Sequence, residues 1–582
     1  MNIPKLFFCL ILFVLLFAFL QTDCAFHFFY VEQNQLFQWS WPYFVGKLAK
    51  PGGLALWAGE FLVQFFAWPY AGAALTAALL TSIAEHTAGL VKRIAPATDL
   101  YLIYLLPALA LLFVHIDFNY RLQGTVAYGM LLIALGVYLR LKSFALRVGA
   151  AFLFPFVLFW LAGPVGALFA GCVVVWEGMN RGLKGGWSIV PLATTFFLIY
   201  LSVRLGRIGE FRLAFLPDGY YYARLQPKAV IYYSWMVLPL ILVVAYLLRN
   251  RAAVSRKKKL GASFIQLCLF VLIYQWGISV YNDPGSSFMK ELDYYNRTAD
   301  WDQVIEKCKG VQPNYFYLGC LNRALAEKGE LADRMFAFDQ RGVEGLIVKW
   351  NKSAAISTFL SDLYFTMGNM ALAQEMAFES YVSSPGEGNP RMLQRLVQTN
   401  LIYGEYPVAE KYIDLLSHTY FYKDWAERHR TFLYNDEAVT KDSLLGTKRK
   451  DLLAVDHLSH PQSIGVDLQR MAEHNPANRV PIHYLGAVCL LNKDLMPFKA
   501  FIEKYYGTEV LPSLPLSFQE AVITLSEEEP DYWKKFDISP DVRQRFAEYK
   551  RQVLAGKGNP SALPGLLRRS FGDTYWYYFM FK

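Results

Sequence analysis

The amino-acid sequence predicts an all-α protein in two parts: a polytopic domain of about nine transmembrane helices, then a solenoid of paired helices. Three observations lead there. The 582 residues are 54% hydrophobic and only 18% charged, where a soluble chain of this size carries roughly a quarter charged residues. The apolar excess is confined to residues 1–282, while 283–582 has the balance of an ordinary soluble domain. Within that second half, a helical pattern recurs about Gly368 and Gly404, 404 − 368 = 36 residues apart.

A spanning helix needs about 20 mostly apolar residues. Nine stretches qualify, at about 5–22, 68–84, 98–114, 124–139, 148–162, 164–176, 187–203, 229–248 and 260–280. The first has the outline of a secretory leader, with Lys5 ahead of an apolar run. However, Asp23 stands where cleavage needs a small residue, so a retained helix is expected. The fifth and sixth stretches meet at Gly163-Pro164 and predict a tight hairpin or a re-entrant pair. No Asp, Glu, Lys, Arg or His lies in the nine apolar centres, which argues against an ion-coupled transporter.

Lys and Arg near the segment ends set orientation. With the N-terminus in the cytoplasm, the inner side holds fourteen: Lys5, Lys92, Arg93, Arg140, Lys142, Arg147, Arg181, Lys184, Arg249, Arg251, Arg256, Lys257, Lys258 and Lys259. The outer loops hold eight: Lys47, Lys50, Arg121, Arg204, Arg207, Arg212, Arg224 and Lys228. Nine spans then put 283–582 outside. The net charge of +9 lies largely beside the membrane segments, so membrane lipids, and no nucleic acid, are the expected partners. Seven scattered cysteines form no CxxC pair or Cys/His cluster. Cys308 and Cys320 are expected as buried free thiols, with a disulfide as the alternative.

The outer loops hold the candidate chemistry. The first, 23–67, mixes aromatics with Lys47, Lys50 and Glu60, as helices lying in the membrane interface would. It also carries Glu32-Gln33-Asn34-Gln35, which a belt of aromatics does not require. The second loop places His115, Asp117 and Arg121 together. A carboxylate there serves as a base or a ligand for a divalent metal; a solvated loop with an Asp117–Arg121 pair is the alternative. The loop at 204–228 sets Arg207, Arg212 and Arg224, suited to a phosphate, beside Tyr220, Tyr221 and Tyr222, suited to a lipid or sugar.

In the second half, Leu360, Tyr364, Gly368, Ala373, Ser380 and Pro385 fall at tetratricopeptide-repeat spacing. Weaker copies centre on Leu396, Gly404 and Ala409, on Leu325 and Gly329, and on Leu485, Gly486 and Lys493. Stacked helix pairs make a concave surface for a protein partner. The aromatic run Phe571–Phe581 is expected to dock on this domain or on the membrane interface.

The segments Glu32–Phe37, Lys50–Leu54, His115–Tyr120 and Phe571–Trp576 resemble a bacterial multi-pass membrane family of unknown function, along nearly the whole chain. The loop layout also resembles polytopic lipid-linked-sugar glycosyltransferases, some of which end in a tetratricopeptide domain. That resemblance implies a bacterial inner-membrane enzyme with a polyprenyl-phosphate-linked donor and a protein or glycan acceptor on the periplasmic side. It implies Glu32, Asp117 and His115 as catalytic groups, with Arg121, Arg207, Arg212, Arg224 and Tyr221 holding substrate. A lone Glu32 and His115-X-Asp117 stand where such enzymes carry an acidic pair and Asp-X-Asp. The alternative is a membrane-anchored tetratricopeptide scaffold that recruits cell-envelope proteins.

Overall fold

The computed structural model describes residues 5–97, 100–117, 119–217, 220–222, 229–250, 256–384, 386, 388–453, 464–527, 529, 531–556 and 559–582, without the side chains of 5 and 256–259. It is helical throughout, and the described residues contain no strand, only a single bridge between Tyr506 and Leu511. The chain forms two compact units. One comprises Met1–Phe288 with Pro385–Glu387 and His418–Phe421; the other holds the remainder.

The first unit contains α1 (Lys5–Asp23), α2 (Ala25–Glu32), α3 (Trp41–Leu48), α4 (Gly53–Val63), α5 (Ala71–Ile94), α6 (Tyr101–His115), α7 (Gln123–Tyr138), α8 (Phe144–Ala162), α9 (Val165–Arg181), α10 (Ile189–Arg204), α11 (Ile231–Leu248) and α12 (Arg256–Tyr281). All nine predicted apolar stretches therefore fall on helices. Among the described residues, six stretches are long and apolar enough by themselves to cross a membrane, and one of these is the 40-residue run Val165–Arg204 that holds both α9 and α10. The other two expected stretches are the shorter apolar helices α6 and α7. Helices α6 and α7 have 15 and 16 residues, too few by themselves. A hydropathy profile registers apolar residues but not where a helix starts and stops.

Burial explains the difference. Leu109, Leu111 and Val114 of α6 and Tyr128, Leu131 and Leu135 of α7 are fully buried, packed with Leu80 of α5 and Leu238 and Leu242 of α11. These two helices are apolar because they form the core. By contrast, α1 and α12 expose Leu6, Leu10, Leu260 and Phe264. Large apolar surface of that kind belongs in lipid. At the C-terminal end of α7, Tyr138 Oη donates to the fully buried Glu177 at 2.9 Å, and Arg147 and Arg181 pair with the same carboxylate at 2.5 and 2.9 Å. The charge of this internal carboxylate is balanced by two guanidiniums, and the phenol donates to one of its oxygens.

The second unit is built of short helices in antiparallel pairs. Ala354–Met367 turns into Met370–Ser383 at Gly368, and Pro390–Tyr403 into Tyr406–Ser417 at Gly404. Both glycines take the left-handed conformation, φ 97° and 81°, which only glycine adopts without penalty. Asn369 and Asn389 cap the helices that follow them. Inside, Asp362 is gripped by Arg391, by Arg395 at 2.9 Å and by Arg323 at 3.6 Å. Burial pushes its carboxyl up, but the three guanidiniums more than offset this and hold it well below the usual carboxylate range. Cys308 and Cys320 are free thiols, the first half-buried and the second buried. The aromatic run docks on this unit: Tyr575, Trp576, Tyr577 and Tyr578 are buried, with Tyr578 Oη donating to Leu491 O at 2.8 Å.

Candidate functional site

Four of the charged or titratable candidates in the first two loops do not lie in water. Glu32, His115, Asp117 and Arg121 are all buried in the first unit, between 3% and 6% exposed. This corrects the alternative of a solvated second loop. Glu32 is the last residue of α2; Gln33 closes the helix with its backbone N–H, donated to Phe29 O at 3.2 Å, and its Nε2 donates to Glu32 Oε2 at 2.6 Å. Asn34 Nδ2 donates to Tyr30 O at 2.7 Å. The turn continues to Gln35, whose backbone N–H donates to Glu32 O at 3.2 Å.

The second loop is tightened by its own side chains. Asp117 Oδ1 accepts the backbone N–H of Asn119 at 2.8 Å, an Asx turn that reverses the chain after α6. His115 Nε2 and Tyr120 Oη both meet Thr125 Oγ1, at 2.8 and 2.7 Å, so α6 is tied to the first turn of α7. Arg121 Nη1 donates to Tyr120 O at 3.2 Å.

The two loops meet through residues whose role the sequence does not announce. Gln123, fully buried at the start of α7, donates to Gln35 Oε1 at 3.3 Å and to Tyr222 Oη at 3.1 Å. Tyr222 donates to Glu60 Oε1 at 3.0 Å. Glu60 also accepts from Tyr43 Oη at 2.5 Å and from Lys47, whose Nζ lies 3.1 and 3.0 Å from its two oxygens. Lys47 and Glu60 are thus a buried ion pair within the loop 23–67. Helix α4 can approach this closely because Gly59 faces Gln123: a Cβ there would lie 2.6 Å from Gln123 Cγ.

Two amide atoms at the junction are left over. Gln35 Nε2 and Gln123 Oε1 are buried with no hydrogen-bond partner among the described residues. Exchanging the oxygen and nitrogen of either amide moves the deficit without removing it. A buried polar atom without a partner costs about 1–3 kcal/mol, so this junction is a place where a polar group from outside the chain would be stabilised.

In the loop at 204–228, the described tyrosines are held by hydrogen bonds. Tyr220 Oη donates to Pro51 O at 2.5 Å and Tyr221 Oη to Ala162 O at 2.9 Å. Arg207 and Arg212 are exposed, with Arg207 reaching Ala49 O at 3.4 Å. Neither is joined to Glu32 or Asp117 by an ion pair or hydrogen bond. Arg224 lies outside the described residues. No three His, Cys, Asp or Glu side chains converge as metal ligands among the described residues.

Glu32 in the first loop and His115, Asp117 and Arg121 in the second are therefore each buried, in loops joined through Gln35 and Gln123, while Arg207 and Arg212 are on the surface. Glu60, Gln123 and Tyr222 join the two loops, and of these Gln123 was not singled out by the sequence. The signal for Glu60 was its isolated acid, in an apolar stretch thirteen residues after Lys47 (60 − 47). No curated protein and no solved structure matches the chain. Residues 2–582 match the Family of unknown function (DUF6057), and the chain belongs to that family.

Proposed function

We propose that the protein is a membrane glycosyltransferase or oligosaccharyltransferase that takes a sugar from a polyprenyl-phosphate-linked donor and gives it to a protein or glycan acceptor. The observation that carries this reading is the junction of the first two loops, where Gln35 and Gln123 meet with one unpartnered polar atom each. Sugar hydroxyls are both donors and acceptors, so a sugar satisfies an orphan N–H and an orphan C=O at once. Glu32 or Asp117 takes the proton of the acceptor hydroxyl as that oxygen bonds to the anomeric carbon. The bond from that carbon to the phosphate oxygen breaks, and Arg121, in the same loop as Asp117, receives the departing phosphate. His115 holds Thr125 and fixes the loop. The described side chains do not make a divalent-metal site, so no step is routed through a metal.

In this reading the chain sits in a bacterial inner membrane with its N-terminus cytoplasmic. The second unit is a periplasmic, tetratricopeptide-like domain that holds the acceptor. Glu32→Gln and Asp117→Asn should each abolish glycan transfer while the protein still reaches the membrane. Transfer at the normal level in both variants rejects the catalytic roles. The helix pairs turning at Gly368 and Gly404 favour a second reading, a membrane-anchored scaffold that recruits cell-envelope proteins. That reading requires both variants to keep full function.

A further inference from the structure

The second unit carries two adjoining cavities that the proposed reaction does not use. One, of about 500 Å³, is lined by Tyr317, Phe338, Arg341 and Arg568 among others. Its neighbour, of about 490 Å³, is lined by Arg545, Arg568, Arg569 and Lys582. They share Ala337, Phe338, Asp339 and Arg568 and are two lobes of one groove. Each has the size of a small-ligand site.

Apart from Lys309, which pairs with Glu306 at 2.5 Å, the cations of the groove fall into two sets. Arg545 pairs with Asp573 at 2.5 Å and also donates to Ser570 O at 3.1 Å, while Lys582 pairs with Asp339 at 2.7 Å. These contacts brace the walls. Arg341, Arg568 and Arg569 have no ion pair or hydrogen bond from their side chains among the described residues. The helix Leu563–Phe571 buries Leu567 and Phe571, which fixes Arg568 and Arg569 at the rim. Three unbalanced guanidiniums on one groove repel one another, and an anion relieves that repulsion. Guanidinium forks match phosphate oxygens two at a time, and a net charge of this size suits a dianion over a monocarboxylate. The half-buried rings of Phe338 and Tyr317 offer an apolar wall to the rest of the ligand.

We infer that this groove binds a phosphomonoester, with the phosphate at Arg568 and Arg569 and the body of the ligand in the Phe338 lobe. A sugar phosphate and a lipid headgroup share that chemistry. The test is calorimetric titration of the full-length protein in detergent with a hexose 1-phosphate, the free hexose, succinate and a soluble short-chain phosphatidic acid. Saturable binding of at least one phosphomonoester is expected, with none of the free hexose, and the tighter of the two names the source. The exposed pair Arg568→Gln and Arg569→Gln should weaken that binding at least about tenfold with an unchanged melting temperature. Binding should persist in Glu32→Gln, since the groove does not rest on the transferase reading. No saturable phosphomonoester binding, equal binding by the double variant, or equally tight succinate overturns the inference.

Discussion

Among single residues, Glu60 has the largest predicted effect. Its carboxylate holds Lys47, Tyr43 and Tyr222 in a buried shell. Glu60→Ala strands a lysine charge there, which should destabilise the first unit by about 3–5 kcal/mol. Pairing it with Lys47→Met should recover much of that loss, as read from thermal denaturation in detergent. In the second unit, Glu520 is buried and accepts the Tyr575 backbone N–H at 2.7 Å. Burial pushes its carboxyl up to about 8 from an ordinary 4.5. A raised carboxyl favours the folded state only while it stays protonated. Its contribution is thus complete below pH 4.5 and is lost as pH rises toward 8. Glu520→Gln cannot ionise, so its stability relative to wild type should grow across that window. A pH-independent difference between the two proteins would remove Glu520 from the account.

The role of each element comes from what it is packed against. Gly59 of α4 faces Gln123 of α7, and a branched side chain has no room there. Gly59→Val should push α4 off α7 and break the contacts of Gln123 with Gln35 and Tyr222. Cysteine cross-linking between positions 35 and 123 should then fall sharply, while the second unit melts unchanged. This level also shows what the sequence made legible. Helix positions were readable, because runs of apolar residues and the glycines at 368 and 404 are local signals. Glu32, His115 and Asp117 stood out as polar groups in apolar loops. Gln123 did not, because an uncharged amide at a helix start looks ordinary until a second loop is folded against it. The Lys47–Glu60 pair was hidden for the same reason: its two charges sit on different helices, α3 and α4, and no periodicity within either one joins them. Tyr220, Tyr221 and Tyr222 read as a platform for a ligand, whereas their hydroxyls are committed to Pro51, Ala162 and Glu60.

On the scale of the whole molecule, the first unit surrounds a short, dry centre with longer helices. Helices α6 and α7, with 15 and 16 residues, span only about 22–24 Å at 1.5 Å per residue, while a typical hydrocarbon layer is about 30 Å thick. Both ends of α7 are polar: Gln123 lies at one, and Tyr138 with Glu177 at the other. A bilayer around such a core must either pinch inward or leave those polar ends in hydrocarbon. Pinching has a modest elastic cost per ångström, and that cost sorts proteins between membranes of different thickness. The protein should accordingly melt at a higher temperature in bilayers of 14-carbon lipids than in bilayers of 18-carbon lipids. Equal melting in both would mean that the outer helices shield the lipid from the short centre. If the difference appears, acyl-chain length becomes a control on this protein that acts without any ligand, through the depth of the membrane that surrounds it.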